Sequence, residues 1–166
     1  MRIFKEEQKF NQLFVIVGLL MAFIITSITT YQNWQTVSEE SFSKKLGSLI
    51  GIIIVLIVAL LFVFLKLKTR VDEIGIHYKF YPFQFNFKTI PWKNIAKCYI
   101  RKYEAISEYG GWGIKYSFFT KRGKCYTTKG NIGLQLELKN GKKILFGTQL
   151  KDTLQKTLDT YQKNII

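Results

Sequence analysis

The chain has 166 residues and a formal net charge of +14, from 25 Lys or Arg against 11 Asp or Glu. Such an excess admits anionic lipid surfaces and nucleic acid as partners. One histidine and two cysteines without C-x-x-C spacing supply three soft ligands, one short of a tetrahedral zinc site, so no metal and no cofactor are expected.

In chain order, Arg2, Lys5 and Lys9 precede an apolar run, Leu13–Thr30, and a second run follows at Leu46–Leu65. Neither contains Asp, Glu, Lys, Arg or His, and each is long enough to cross a ~30 Å hydrocarbon core as a helix. Glu6 and Glu7 spoil the basic start that a cleaved signal peptide would need. Lys66, Lys68 and Arg70 follow the second run, whereas the intervening loop offers only Lys44 and Lys45 beside Glu39 and Glu40. The positive-inside rule therefore predicts a multi-pass membrane protein with both termini cytoplasmic, and Tyr31 and Trp34 at the outer interface. Gly18 with Ala22, and Gly47 with Gly51, have the small-xxx-small spacing that lets helices of separate copies approach, and that is also ordinary membrane glycine. Residues 1–67 are assigned to the tail and hairpin, and residues 68–166 to a cytoplasmic domain.

From Thr69 onward a period of two takes over. Ile74, Ile76, Tyr78 and Phe80 alternate with polar residues, and Phe83, Phe85 and Phe87 do so after a corner at Tyr81-Pro82. Ile90-Pro91-Trp92 interrupts the ladder, Ala96–Ile100 resumes it, and a long loop runs over Glu104–Gly113. Ile114–Phe118 and Cys125–Thr128 flank the basic turn Lys121-Arg122-Gly123-Lys124. Leu134, Leu136 and Leu138 lead to Asn140-Gly141, the strongest short hairpin signal, with Ile144–Gly147 as partner. After Thr148, a predicted N-cap, Leu150, Leu154, Leu158 and Tyr161 share one helical face. About seven short antiparallel strands and one closing helix are expected, an α+β chain.

Glu73-Ile74-Gly75-Ile76, Ile90-Pro91-Trp92-Lys93-Asn94-Ile95, Tyr109-Gly110-Gly111-Trp112-Gly113-Ile114-Lys115 and Phe146-Gly147-Thr148-Gln149 together cover most of residues 70–160. In these phrases the chain resembles bacterial membrane proteins that carry a pleckstrin-homology-like domain after two transmembrane helices. The resemblance implies a seven-stranded antiparallel barrel or sandwich capped by a C-terminal helix, acting in binding or scaffolding rather than in a reaction. Phosphoinositide-binding members of the wider superfamily place Lys and Arg around the first hairpin turn. Here that turn is Phe80-Tyr81-Pro82-Phe83, so no specific phosphoinositide is expected.

Residues 67–166 hold 19 Lys or Arg against 7 Asp or Glu, which predicts weak, generic contact with anionic lipid through Lys66, Lys68, Arg70, Lys121, Arg122 and Lys124. Tyr99, Tyr103, Tyr109 and Trp112 lie among basic residues, but no nucleic-acid-binding phrase accompanies them, and no nucleic acid is expected. No Walker loop, nucleophile elbow or paired carboxylates appear; His77 reads as a surface histidine and both cysteines as buried thiols, so no catalytic residues are assigned. Tyr109, Gly110, Gly111, Trp112 and Gly113 have two readings: Trp112 plugs one end of the barrel, or it anchors a protein partner. The sequence thus predicts a membrane-anchored, non-enzymatic interaction or scaffolding module, self-association included. The alternative is an accessory subunit of a membrane enzyme or transporter encoded elsewhere.

Overall fold

The computed structural model describes residues 3–36, 42–117 and 122–161. The chain divides into two compact units: residues 11–64, and the residues on either side of them together.

The first unit is a helical hairpin of α1 (Leu13–Thr36) and α2 (Phe42–Phe64). At 24 and 23 residues each exceeds ~30 Å in length. Mean hydropathy reaches 2.4 in α1 and 3.2 in α2, yet only 6% and 0% of those windows are buried. A soluble core helix would be mostly buried, whereas side chains such as Leu20, Met21, Ile57 and Val63 stand exposed. Hydroxyls within α1 satisfy themselves: Thr26, Ser27, Thr29 and Thr30 each donate to a carbonyl four residues back. Thr30 also donates to the Ser48 carbonyl of α2 at 3.4 Å. Among the described residues, a Cβ added at Gly18, Gly47 or Gly51 would meet nothing within 4 Å.

The second unit holds nine strands among the described residues: β1 (Phe4–Lys9), β2 (Lys66–Val71), β3 (Gly75–Tyr81), β4 (Lys88–Pro91), β5 (Ile95–Lys102), β6 (Gly113–Ser117), β7 (Gly123–Thr127), β8 (Ile132–Leu138) and β9 (Lys143–Gly147). A short helix, α3 (Ala105–Tyr109), joins β5 to β6, and α4 (Lys151–Tyr161) ends the unit. The strands form a four-stranded antiparallel sheet, β1-β2-β3-β4, and a five-stranded sheet, β5-β8-β9-β7-β6, in which β7 and β9 are parallel. Tyr78 of the first sheet meets Tyr126 and Phe146 of the second at ring-centroid distances of 4.9 and 4.7 Å. Leu154, Leu158 and Tyr161 of α4 are buried, and Tyr161 stacks on Trp92, whose Nε1 donates to the Asp72 carbonyl at 2.8 Å.

Several expectations are corrected. The architecture is two sheets with no closed barrel, and one strand pair is parallel. The tail before α1 belongs to the β-rich unit, because β1 pairs with β2 along its whole length, from Phe4↔Val71 to Lys9↔Lys66. The alternation in Phe-Lys-Glu-Glu-Gln-Lys is hidden from a hydropathy reading because two of its three inward residues, Glu6 and Gln8, are polar. They are satisfied internally: Glu6 accepts from Thr148 Oγ1 and the Gln149 amide, both at 2.7 Å. Gln8 donates to the Gly147 carbonyl and accepts from Thr128 Oγ1. Phe83, Phe85 and Phe87 form no strand. The Gln84 amide donates to the Phe80 carbonyl and Gln84 Oε1 accepts from the Phe80 amide, which closes a turn and leaves the three rings exposed. Thr148 sits two residues before the start of α4's hydrogen bonding at Leu150, and Leu150 itself is exposed.

Candidate functional site

A cleft of about 740 Å3 opens over the aromatic contact between the two sheets. Tyr78 and Tyr126, both more than nine-tenths buried, form its floor, and Lys88, Lys124, Lys142 and Lys143 stand around it. Tyr116 and Ser117 of β6 complete one side. No carboxylate lies among the described lining residues; Glu137, 3.5 Å from Lys143, sits outside them. Burial, with a hydrogen bond to Tyr126, pushes the Tyr78 phenol well above its ordinary range, so it stays neutral. Lys88, Lys124 and Lys142 beside the two buried tyrosines make a site for anionic oxygen, whereas the Lys143 ammonium is held by Glu137. The volume falls in the range of ligand-binding clefts.

Local backbone geometry builds the site. Gly141, at φ +79°, turns the β8–β9 connection that carries Lys142 and Lys143, as the Asn-Gly signal predicts. Gly123, at φ +77°, lets β7 lie against β9, since a Cβ there would run into the Lys143 carbonyl. The cleft also lies beside two strands without an outer neighbour, β4 and β6, one at the edge of each sheet.

The Gly-Gly-Trp-Gly segment is elsewhere. The expected long loop contains α3, which Gly110 ends in the left-handed region (φ 71°), its amide donating back to Ile106. Tyr109 is buried with Tyr103, Ala105, Cys125 and Leu145, and Trp112, half-buried, packs on that cluster. Its Nε1 donates to the Gly130 carbonyl at 3.0 Å. Gly111 and Gly113 flank it with positive φ. This group covers the side of the five-stranded sheet where Cys125 and Leu145 lie, and the sheet is buried on both faces. Burial pushes the Cys125 thiol up to about 11 and the Cys98 thiol up to about 12, which leaves both protonated and inert.

The basic residues singled out from the sequence do not form one patch. Lys66, Lys68 and Arg70 alternate along the outer face of β2; the first two flank Glu7 at 3.6 and 2.8 Å, and Arg70 pairs with Asp72 at 2.9 Å. Arg122 is held by Glu108 at 2.6 Å, which Arg101 also grips through two nitrogens. Burial raises the Glu108 carboxyl, but the Arg101 hydrogen bond and the Glu104 amide outweigh it and hold it below the usual range. Lys124 lines the cleft, and Lys121 lies outside the described residues.

His77 pairs with Asp72 at 2.9 Å and with Thr89 at 2.7 Å, at a corner where the Asp72 carboxylate also accepts from the Ile74 and Gly75 amides. Burial works against the charged Asp72; the His77 and amide hydrogen bonds more than offset it, and its carboxyl titrates below the usual range. These contacts close the β2–β3 turn. No group of three or more potential metal ligands occurs among the described residues.

Sequence reasoning missed Tyr78, Tyr126, Lys142 and Lys143 as a set. Each sits in a separate strand or turn, and only the packing of one sheet on the other brings them together. No family model matches the chain, and no curated protein matches it. Sequence and structure define a mixed α+β chain: two helices long and apolar enough to span a membrane, then a two-sheet unit ending in a helix.

Proposed function

We propose that the protein is a membrane-anchored, non-enzymatic interaction module. Its β-rich unit stands at the cytoplasmic face and offers the lysine–tyrosine cleft to an extended acidic segment of a protein partner, a second copy included. The carrying observation is the cleft itself: Lys88, Lys124 and Lys142 around two buried tyrosines, with no carboxylate among the described lining residues, beside the edge strands β4 and β6. Kinship with pleckstrin-homology-like domains belongs to the proposal, supported by two facing sheets closed by a C-terminal helix. The cytoplasmic side is supported by the Lys and Arg asymmetry around the apolar helices.

Two experiments test it. A reporter fused after residue 166 should be active only if it matures in the cytoplasm; an outside signal reverses the placement. The full chain in detergent, immobilised and challenged with poly-glutamate peptide, should bind it. Lys124→Ala with Lys142→Ala should weaken binding several-fold, as the loss of two exposed cationic contacts does. An equal loss on Lys93→Ala with Lys97→Ala, outside the cleft, would reduce the effect to diffuse charge and refute the site. Co-purification of a stoichiometric foreign subunit would favour the accessory-subunit alternative.

A further inference from the structure

The segment between β3 and β4 inverts the usual arrangement of a surface turn. Its polar Gln84 is turned back to bond Phe80, while Phe83, Phe85 and Phe87 are 61%, 69% and 49% exposed. Single exposed apolar residues are ordinary, but three aromatic rings within five residues form a patch that water disfavours. The rings are also braced. Phe83 lies 6.3 Å from the buried Phe80 ring, Phe85 meets Tyr81 edge-on at 5.7 Å, and Lys79 Nζ stands 6.0 Å over Phe87.

Register says which end of the sheet carries this patch. Tyr81 is opposite Lys66, and Lys66 is opposite Lys9, so the β3–β4 turn emerges where the chain leaves β1 for α1 and re-enters β2 from α2. Phe10 donates to the Leu65 carbonyl at the same end. Phe4, Val71 and Ile76 stand in line at the other end of the strands. The first end also carries Lys9 and Lys66, and Lys79 stands over the Phe87 ring, the pairing of cation and aromatic found in segments that settle among lipid headgroups.

We propose that the Phe83–Phe87 turn dips into the interface of the bilayer that α1 and α2 cross, with phenyl rings at the acyl boundary and the neighbouring lysines at the phosphates. This third contact goes beyond the anchoring reading and rests on it. The turn pins one end of the four-stranded sheet against the surface.

The test uses the full chain in lipid nanodiscs of phosphatidylcholine with phosphatidylglycerol. Cys98 and Cys125 are buried with raised pKa, so an environment-sensitive thiol dye goes to an introduced cysteine. Three variants are labelled: Phe85→Cys, Lys97→Cys on exposed β5, and Leu20→Cys within α1. Melting curves confirm that each folds. The dye at 85 should emit to the blue of the dye at 97 and be quenched by lipids bearing a nitroxide near the headgroup. A water-like signal at 85 with a lipid-like one at 20 overturns the inference and leaves the anchor intact. Water-like signals at both positions overturn the anchor, and the inference with it.

Discussion

Replacing Trp112 by alanine separates the two meanings of the glycine-rich segment. Deleting a fully buried large aromatic costs ~3–5 kcal/mol. Trp112 is half-buried, so about half of that applies to its ring on Tyr103, Tyr109, Cys125 and Leu145. Losing the Nε1 hydrogen bond to Gly130 adds about 1 kcal/mol or less, since that carbonyl can turn to water. The expected loss is roughly 2–3 kcal/mol. In a unit of this size it lowers the melting temperature by roughly 10 °C, at about 4 °C per kcal/mol. Far-UV circular dichroism of the full chain in detergent, followed at strand wavelengths, reads this against the two helices. Trp112→Phe, which keeps a ring, should lose less than half as much. A melt within 2 °C of the parent on Trp112→Ala would refute the packing argument; if peptide or partner binding fell at the same time, the residue would be a contact after all.

Glu6→Ala removes the shared acceptor of the buried Thr148 Oγ1 and the part-buried Gln149 amide. It should destabilise the β-rich unit by ~1–3 kcal/mol and speed hydrogen exchange of the β1 amides; unchanged exchange would show that the strand needs no clasp. Asp72 and Glu108 both carry depressed carboxyl pKa values, so their stabilisation is complete above pH ~5 and is lost as pH falls below about 4. Urea midpoints between pH 3 and 7 should show that loss, and Asp72→Asn should flatten it. Cys98 and Cys125 should resist alkylation at pH 8 in the folded chain and react fully in denaturant; rapid native labelling would contradict their burial.

What could be read from the sequence follows a simple physical line. The apolar runs were legible because nothing but an apolar stretch can be so long and so free of charge. The β8–β9 hairpin was legible because Asn140-Gly141 carries its own backbone geometry, and α4 because its burial is one-sided. Phe83, Phe85 and Phe87 misled because alternation with Gln84 and Asn86 mimics a half-buried strand, while the rings face outward. The β1 strand was missed for the opposite reason: Glu6 and Gln8 look like solvent-facing residues until Thr128, Gly147, Thr148 and Gln149 supply their partners. Covering both faces of the five-stranded sheet also hid α3 and the Trp112 cluster, since Cys125 and Tyr126 are both buried where alternation would bury one.

The pairing of β1 with β2 has consequences for how the two units depend on each other. One partner precedes the apolar hairpin and the other follows it, so both flanks of the hairpin stand on one side of any membrane it crosses. That agrees with an even number of crossings whichever face is involved. It also means the β-rich unit cannot be completed from residues 68–166 alone. Such a fragment would expose the edge of β2, a template for unwanted strand pairing, and would remove Glu6 as the acceptor for Thr148 and the Gln149 amide. The contacts that close the unit are also distant in sequence, Glu6 with Thr148 above all, so they form late in a chain made from its N-terminus. By then α1 and α2 have been synthesised, and the tail is tethered beside the strand it will join. The hairpin therefore also holds β1 within reach of β2, which lowers the entropy cost of closing the sheet.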